Sequence, residues 1–267
     1  MPDPKDIFSG TAKYYRKYRR PYAEEMMKDI RDYFSVDGAG VLLDIGCGTG
    51  ELTVPLAPYF EEAIGLDPSE EMLLEAEARA REEKVSNIRW VCDRAENIED
   101  IYAPIRLATA GVSFHWMDQD KVLHDIYTSL EPGGGVAIVN EGSPVRGRNK
   151  TEPWKARRME LIATYLGPER RAGKHFHREF VREKRDVEDI IAVSPFKRYE
   201  CKTYAYETKR GVDEIIGFLW STSYANRELL GRNADNFERD LRSELLRIEP
   251  SGIFVEPGLT ELFLLKK

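Results

Sequence analysis

Cysteine is scarce: three residues, Cys47, Cys92 and Cys201, in a chain of 267, with no C-x-x-C pair among them. That spacing offers no zinc framework and fits reduced thiols rather than a disulfide-stapled domain. No stretch stays apolar for the roughly 18 residues of a membrane-crossing helix. The opening residues MPDPKDIFSG lack a hydrophobic signal core, so a cytoplasmic protein without membrane partners is expected. Internal repeats and low-complexity runs are absent too, which excludes solenoids and disordered arrays. Positive charge is in deficit: the formal net charge is -7. That argues against general nucleic-acid binding and leaves room only for a local basic patch.

What is present suits an ordinary globular protein, with 42% hydrophobic and 33% charged residues, and a length for one sizeable domain with an elaboration or two small ones. The most informative stretch is LLDIGCGTGE, residues 42–51. An apolar run ends in Asp44 and Ile45, breaks into Gly46, Gly48 and Gly50, and resumes with Glu51 and Leu52 as a helix start. Glycines in such a turn let a ligand touch the main chain, and the amides beyond favour an anionic or strongly polar group. The spacing is G-x-G-x-G. A dinucleotide fingerprint places its third glycine where Glu51 stands, and a phosphate loop needs a Gly-Lys-Ser/Thr that does not follow.

Around the turn, apolar runs alternate with helical patterns. Residues 21–34 carry Tyr22, Met26, Ile30 and Phe34 on one helical face. Strands are expected at 41–45, 63–67, 88–93, 105–114 and 136–140. Helices are expected after Pro68, placed at a first-turn position, and over 118–130. Such alternation predicts parallel strands joined by right-handed crossovers, with ligands beyond the strands' carboxyl ends. From residue 141 the character changes: 146–185 hold thirteen Lys or Arg against five Glu. A strand is then expected at 197–208, helices at 211–224 and 234–248, and a terminal strand at 259–267.

A carboxylate ending the second strand is placed to accept hydrogen bonds from the vicinal hydroxyls of a ribose, and Asp67 lies 17 residues after Gly50. Asp93, ending the third strand, is placed to accept from an adenine amino group, with the amides of Arg94 and Ala95 after it. Each acid alone could instead be a helix cap.

LLDIGCGTG, IGLDPSEEML, VCDRAENI, SFHWMD and LEPGGGVAIV, in this order, resemble the class I S-adenosylmethionine-dependent methyltransferases, especially the small-molecule, type 11-like branch. The likeness covers residues 11–140. It implies an α/β fold: a Rossmann-like, seven-stranded, mostly parallel sheet with helices on both faces. The last strand, 259–266, would run antiparallel between the fifth and sixth, and a helical lid would be inserted after the fifth. It also implies that Asp44 and Gly46, Cys47, Gly48 and Gly50 hold the cofactor's methionine end, that Asp67 and Pro68 hold the ribose, and that Asp93, Arg94 and Ala95 hold the adenine, with Ser113 beside them. YYRKYRRPY (14–22) is similar to the family's Y-x-x-Y-R segment, which covers the cofactor, so Tyr15, Tyr18 and Arg19 join the set. The expected organisation is N-terminal covering helices over 1–40, a core over 41–145, a helical insertion over 146–196, and completion of sheet and lid over 197–267.

Methyl transfer from a sulfonium is an in-line displacement needing alignment and exclusion of water. His115, after the fourth strand, is the candidate catalytic base, or else shapes the acceptor pocket. Phe114 and Trp116 would form an aromatic wall or belong to the core. Trp154, Trp220 and Tyr224 would define the acceptor from the lid. His124 reads as a surface residue, and His175 with His177, lacking carboxylates nearby, makes a poor metal site, so no metal is expected. SFHW stands where amino-methylating nucleic-acid enzymes of this fold have an Asn/Asp-Pro-Pro-aromatic segment. The expected methyl acceptor is an oxygen, with nitrogen or carbon as the lesser alternatives, on a small, aromatic or anionic metabolite, and S-adenosylhomocysteine is the coproduct. A non-catalytic cofactor-binding module and an RNA methyltransferase are the alternatives, and a monomer or homodimer is expected.

Overall fold

The structure, a computed structural model, describes residues 7–100, 104–142, 152–168 and 185–267. Its strands are β1 (Val41–Ile45), β2 (Glu62–Leu66), β3 (Ile88–Val91), β4 (Ile105–Gly111), β5 (Leu130–Gly142), β6 (Tyr199–Gly211) and β7 (Ile253–Lys266). The helices are α1 (Ala12–Tyr18), α2 (Glu24–Tyr33), α3 (Thr53–Leu56), α4 (Glu70–Glu82), α5 (Gln119–Ser129), α6 (Pro153–Leu166), α7 (Val187–Val193), α8 (Val212–Trp220), α9 (Arg227–Leu230) and α10 (Ala234–Ile248). Contacts divide the chain into a sheet unit, residues 21–142, 183–204 and 259–267, and a helical unit, residues 1–20, 143–182 and 205–258.

The seven strands run in the order β3-β2-β1-β4-β5-β7-β6. The pairs β1/β2, β1/β4, β2/β3 and β4/β5 are parallel, and β7 runs antiparallel to β5, from Gly135 opposite Lys266 to Gly142 opposite Leu259. This is the Rossmann-like sheet expected, with β7 between the fifth and sixth strands. The central strands are short apolar runs because both faces are covered. On one face Met26, Met27, Ile30 and Phe34 of the α2 segment pack over Leu42, Leu107, Ala137 and Leu264. On the other, Val122 and Ile126 of α5 and Ile190 and Ile191 of α7 cover Leu43, Ile64, Ala108 and Ile138.

Several boundaries shift, and two of the shifts concern helix starts. Ser69, not Pro68, is the cap of α4; its hydroxyl accepts from the Met72 amide at 3.4 Å, so Pro68 lies outside the helix. The helix after the glycine turn begins at Thr53 rather than Glu51.

The helical unit has its own core of α6, α8 and α10, built on Leu161, Ile215, Leu219, Phe237 and Leu241. It therefore draws on the first twenty residues and on 205–258 as well as on the insertion. Residues 187–193 go the other way, because Val187, Ile190 and Ile191 form an apolar face buried in the sheet unit. Arg146, Arg148, Arg170, Arg171, His175 and His177 lie outside the described residues.

Candidate functional site

The turn after β1 is left-handed at all three glycines, with φ of 61° at Gly46, 55° at Gly48 and 81° at Gly50. The protein's own packing leaves no room for a side chain at Gly46 and little at Gly50. A Cβ on Gly46 would lie 2.6 Å from Ser113 Cβ, and one on Gly50 would press on Val54, Ala76 and Trp90 at 3.0 to 3.4 Å. Trp90 reaches from β3 across Gly65, where a Cβ would meet its ring at 2.3 Å, and ends beneath Gly50.

Gly48 is tied to the ligand edge. Its amide donates to Asp67 Oδ2 at 2.9 Å, while the Ser69 amide donates to Oδ1 at 2.9 Å. Each Asp67 oxygen thus keeps acceptor capacity after binding one backbone donor. Burial pushes this carboxyl up to about 6; the two amides pull it down and the charge of Glu51 adds to the rise.

Asp44 departs from expectation. It is 1% exposed, and its oxygens accept from Thr53 Oγ1 at 2.5 Å and Thr109 Oγ1 at 2.7 Å. A carboxylate so enclosed holds β1, β4 and the start of α3 together beneath the turn and has no free face for a ligand. Burial pushes its pKa up to about 7, against the pull of the two hydroxyls. Cys47 is also buried, with its amide donating to Leu66 O at 3.0 Å, and burial pushes its thiol well up.

At the end of β3, Asp93 Oδ1 accepts from the Arg94 amide and from Asn97 Nδ2, both at 2.7 Å. The Arg94 amide is therefore engaged by Asp93 itself, and Ala95 is buried in the sheet core. Asp93 and Pro68 are half-buried.

After β4, Val112 adopts φ 53° with its amide donating to Val139 O at 2.8 Å. A β-branched residue enters that region at a cost of about 1–3 kcal/mol, and such strain concentrates at functional sites. It turns the chain so that Ser113 Oγ donates to Ile45 O at 2.8 Å. A single 3-10 turn, Phe114–Trp116, follows. His115 is exposed there, its ring 4.8 Å from that of Trp116, while Phe114 is 1% exposed in the sheet core. Of the two readings offered for Phe114, its burial fits the core one.

The remaining expected residues belong to the helical unit. Trp154 and Trp220 are buried in its core, Trp154 against Phe254 and Trp220 against Phe237. Tyr224 is partly buried beside them. Tyr18 packs where a Cβ on Gly217 would be, 2.4 Å away. The Arg19 guanidinium lies between the rings of Tyr15 and Phe218, at 4.7 and 4.6 Å, and donates to Ser221 Oγ at 3.0 Å.

Among the described residues, no helix is long and apolar enough to cross a membrane, and no group of three or more His, Cys, Asp or Glu is placed to hold a metal ion. Sequence reading missed Thr53, Thr109, Trp90 and the Ser69 amide. Only Ser69 had a local signal, as a serine just before a run of helix formers.

Residues 42–134 match the family described as a methyltransferase domain. A Dictyostelium discoideum protein described as a methyltransferase is 25% identical over 222 residues, covering 82% of this chain and 77% of its own. The mouse tRNA (uracil-5-)-methyltransferase homolog A is 32% identical over 78 residues, covering 29% of this chain and 13% of its own. The solved Haemonchus contortus phosphoethanolamine N-methyltransferase 2 superposes with a TM-score of 0.53 at 19% identity, over 97% of this chain and 57% of its own, which shows a common fold. The matched domain and these relatives support a class I S-adenosylmethionine-dependent methyltransferase, with S-adenosylmethionine as the cofactor.

Proposed function

We propose that the chain methylates an oxygen of a compact, aromatic or anionic metabolite, with Asp67 receiving the ribose of the cofactor and Asp93 its adenine. The observation that carries the cofactor placement is Asp67 itself. Each carboxylate oxygen is fixed by one backbone amide, from Gly48 and from Ser69, and retains capacity for one hydroxyl of a ribose. Bound there, S-adenosylmethionine supplies an electrophilic methyl on a sulfonium.

The acceptor is read from the β4 edge. His115 is exposed on the short turn after Ser113, with Trp116 beside it. An imidazole at that edge suits removal of a hydroxyl proton, and an indole face is attractive to a cation or a planar acceptor. The small-molecule reading is favoured over RNA by the net charge of -7 and by SFHW after the fourth strand. The stretch shared with the tRNA methyltransferase homolog is only 29% of the chain. The test is to incubate the protein with S-adenosylmethionine and, separately, small phenols, small carboxylic acids and bulk tRNA, following S-adenosylhomocysteine by mass spectrometry. Turnover with a phenol or acid and none with tRNA is expected; turnover with tRNA alone overturns the acceptor class.

A further inference from the structure

We propose that Glu51 and Arg79 are positioning residues for the cofactor, an ion pair that braces the glycine turn against α4 and so holds the two amides that fix Asp67. The inference rests on the reading that Asp67 receives the cofactor. Glu51 follows the third glycine directly, and its side chain is 12% exposed against 19% for Arg79. Arg79 Nη2 lies 3.2 Å from Glu51 Oε1, and the buried Thr49 hydroxyl donates to the same oxygen.

These contacts close a ring. Asp67 Oδ2 accepts from Gly48; the turn leads through Thr49 to Glu51; Glu51 binds Arg79 in the last turn of α4. The cap of that helix, Ser69, returns its amide to Asp67 Oδ1. Every donor to the Asp67 carboxylate therefore sits on a segment that the Glu51–Arg79 pair ties to the other.

Charge gives the pair a second role. Asp67 is faced by Glu51 and Cys47 of the turn; Asp44 from β1 faces Cys47, and Arg79 from α4 meets Glu51. Glu51 opposes ionisation of Asp67, Asp44 and Cys47 alike. Arg79 is the cation set against it. Removing only that cation leaves a mostly buried anion unpaired beside the turn, which costs more than removing both partners.

S-adenosylhomocysteine is titrated calorimetrically into wild type, Arg79→Met, Glu51→Gln, the double variant and Asp67→Ala, from about pH 5.5 to about pH 8. Glutamine keeps an oxygen for Thr49 and loses the charge. Arg79→Met should weaken binding about tenfold near pH 7, and the double variant should recover to within about threefold of wild type. Glu51→Gln alone should move the acid-side loss of affinity to lower pH, and it carries the test if Arg79→Met does not fold. A double variant no tighter than Arg79→Met, wild-type binding by Arg79→Met, or an unmoved acid limb in Glu51→Gln overturns the brace. Asp67→Ala separates the two ideas: its retention of affinity overturns the cofactor site itself, while its loss beside a silent Arg79→Met overturns only the brace.

Discussion

Ser113 occupies the space that a side chain on Gly46 would need: a Cβ there would sit 2.6 Å from Ser113 Cβ and 2.9 Å from Ser113 Oγ. The same hydroxyl donates to Ile45 O, so the loop after β4 rests directly on the glycine turn after β1. Gly46→Ala combines this clash with a φ of 61°. It is expected to destabilise the fold by about 1–3 kcal/mol and to weaken S-adenosylhomocysteine binding in the fraction that folds. Thermal unfolding and calorimetry check both.

Only the ionised carboxylate offers both oxygens, each already bound to one amide, purely as acceptors for two ribose hydroxyls. Asp67 is raised to about 6, chiefly by burial, so binding favours its charged form and affinity should fall as pH drops through about 6. Titration of wild type at several pH values checks this. A flat profile from pH 7 to below pH 6 contradicts the ribose role of Asp67.

Asp44 gives a prediction for the unliganded protein. Its folded value of about 7 lies above the ordinary 3.8, so the folded state holds the extra proton between the two. The stability that proton confers is fully present below 3.8 and is lost as pH rises through about 7. Asp44→Asn does not titrate; its amide oxygen accepts from one of the hydroxyls of Thr53 and Thr109, and its NH2 donates to the other, which turns to accept. Its melting temperature is expected to exceed that of wild type at pH 8 and to approach it near pH 5. The same gap at both pH values contradicts the assignment.

The places of the strands along the chain were legible because short apolar runs end in a glycine, an acid or a turn residue, and the antiparallel β7 between the fifth and sixth strands followed from the family resemblance. What escaped was non-local. Asp44 reads as a ligand residue until Thr109, 65 residues away, is seen to close on it. Glu51 reads only as an obstacle to a dinucleotide until Arg79 appears on the next helix. Phe114, Trp154 and Trp220 are large aromatics near changes of element, and no periodicity distinguishes a pocket wall from a core residue there; all three are buried.

His115 is exposed on its turn rather than packed in the core, so its removal should spare the fold. With an acceptor in hand, His115→Ala should lower kcat about 100-fold or more if it takes the acceptor's proton, while S-adenosylhomocysteine affinity stays near that of wild type. A rise in KM with kcat unchanged assigns it to acceptor binding instead.

The most direct measurement is calorimetric titration of wild type and Asp67→Ala with S-adenosylhomocysteine at pH 7.5. Micromolar binding by wild type and none by a folded Asp67→Ala is the predicted result. A folded wild type that does not bind, or an Asp67→Ala variant that binds equally well, contradicts the placement of the cofactor on Asp67 and the Gly48 turn.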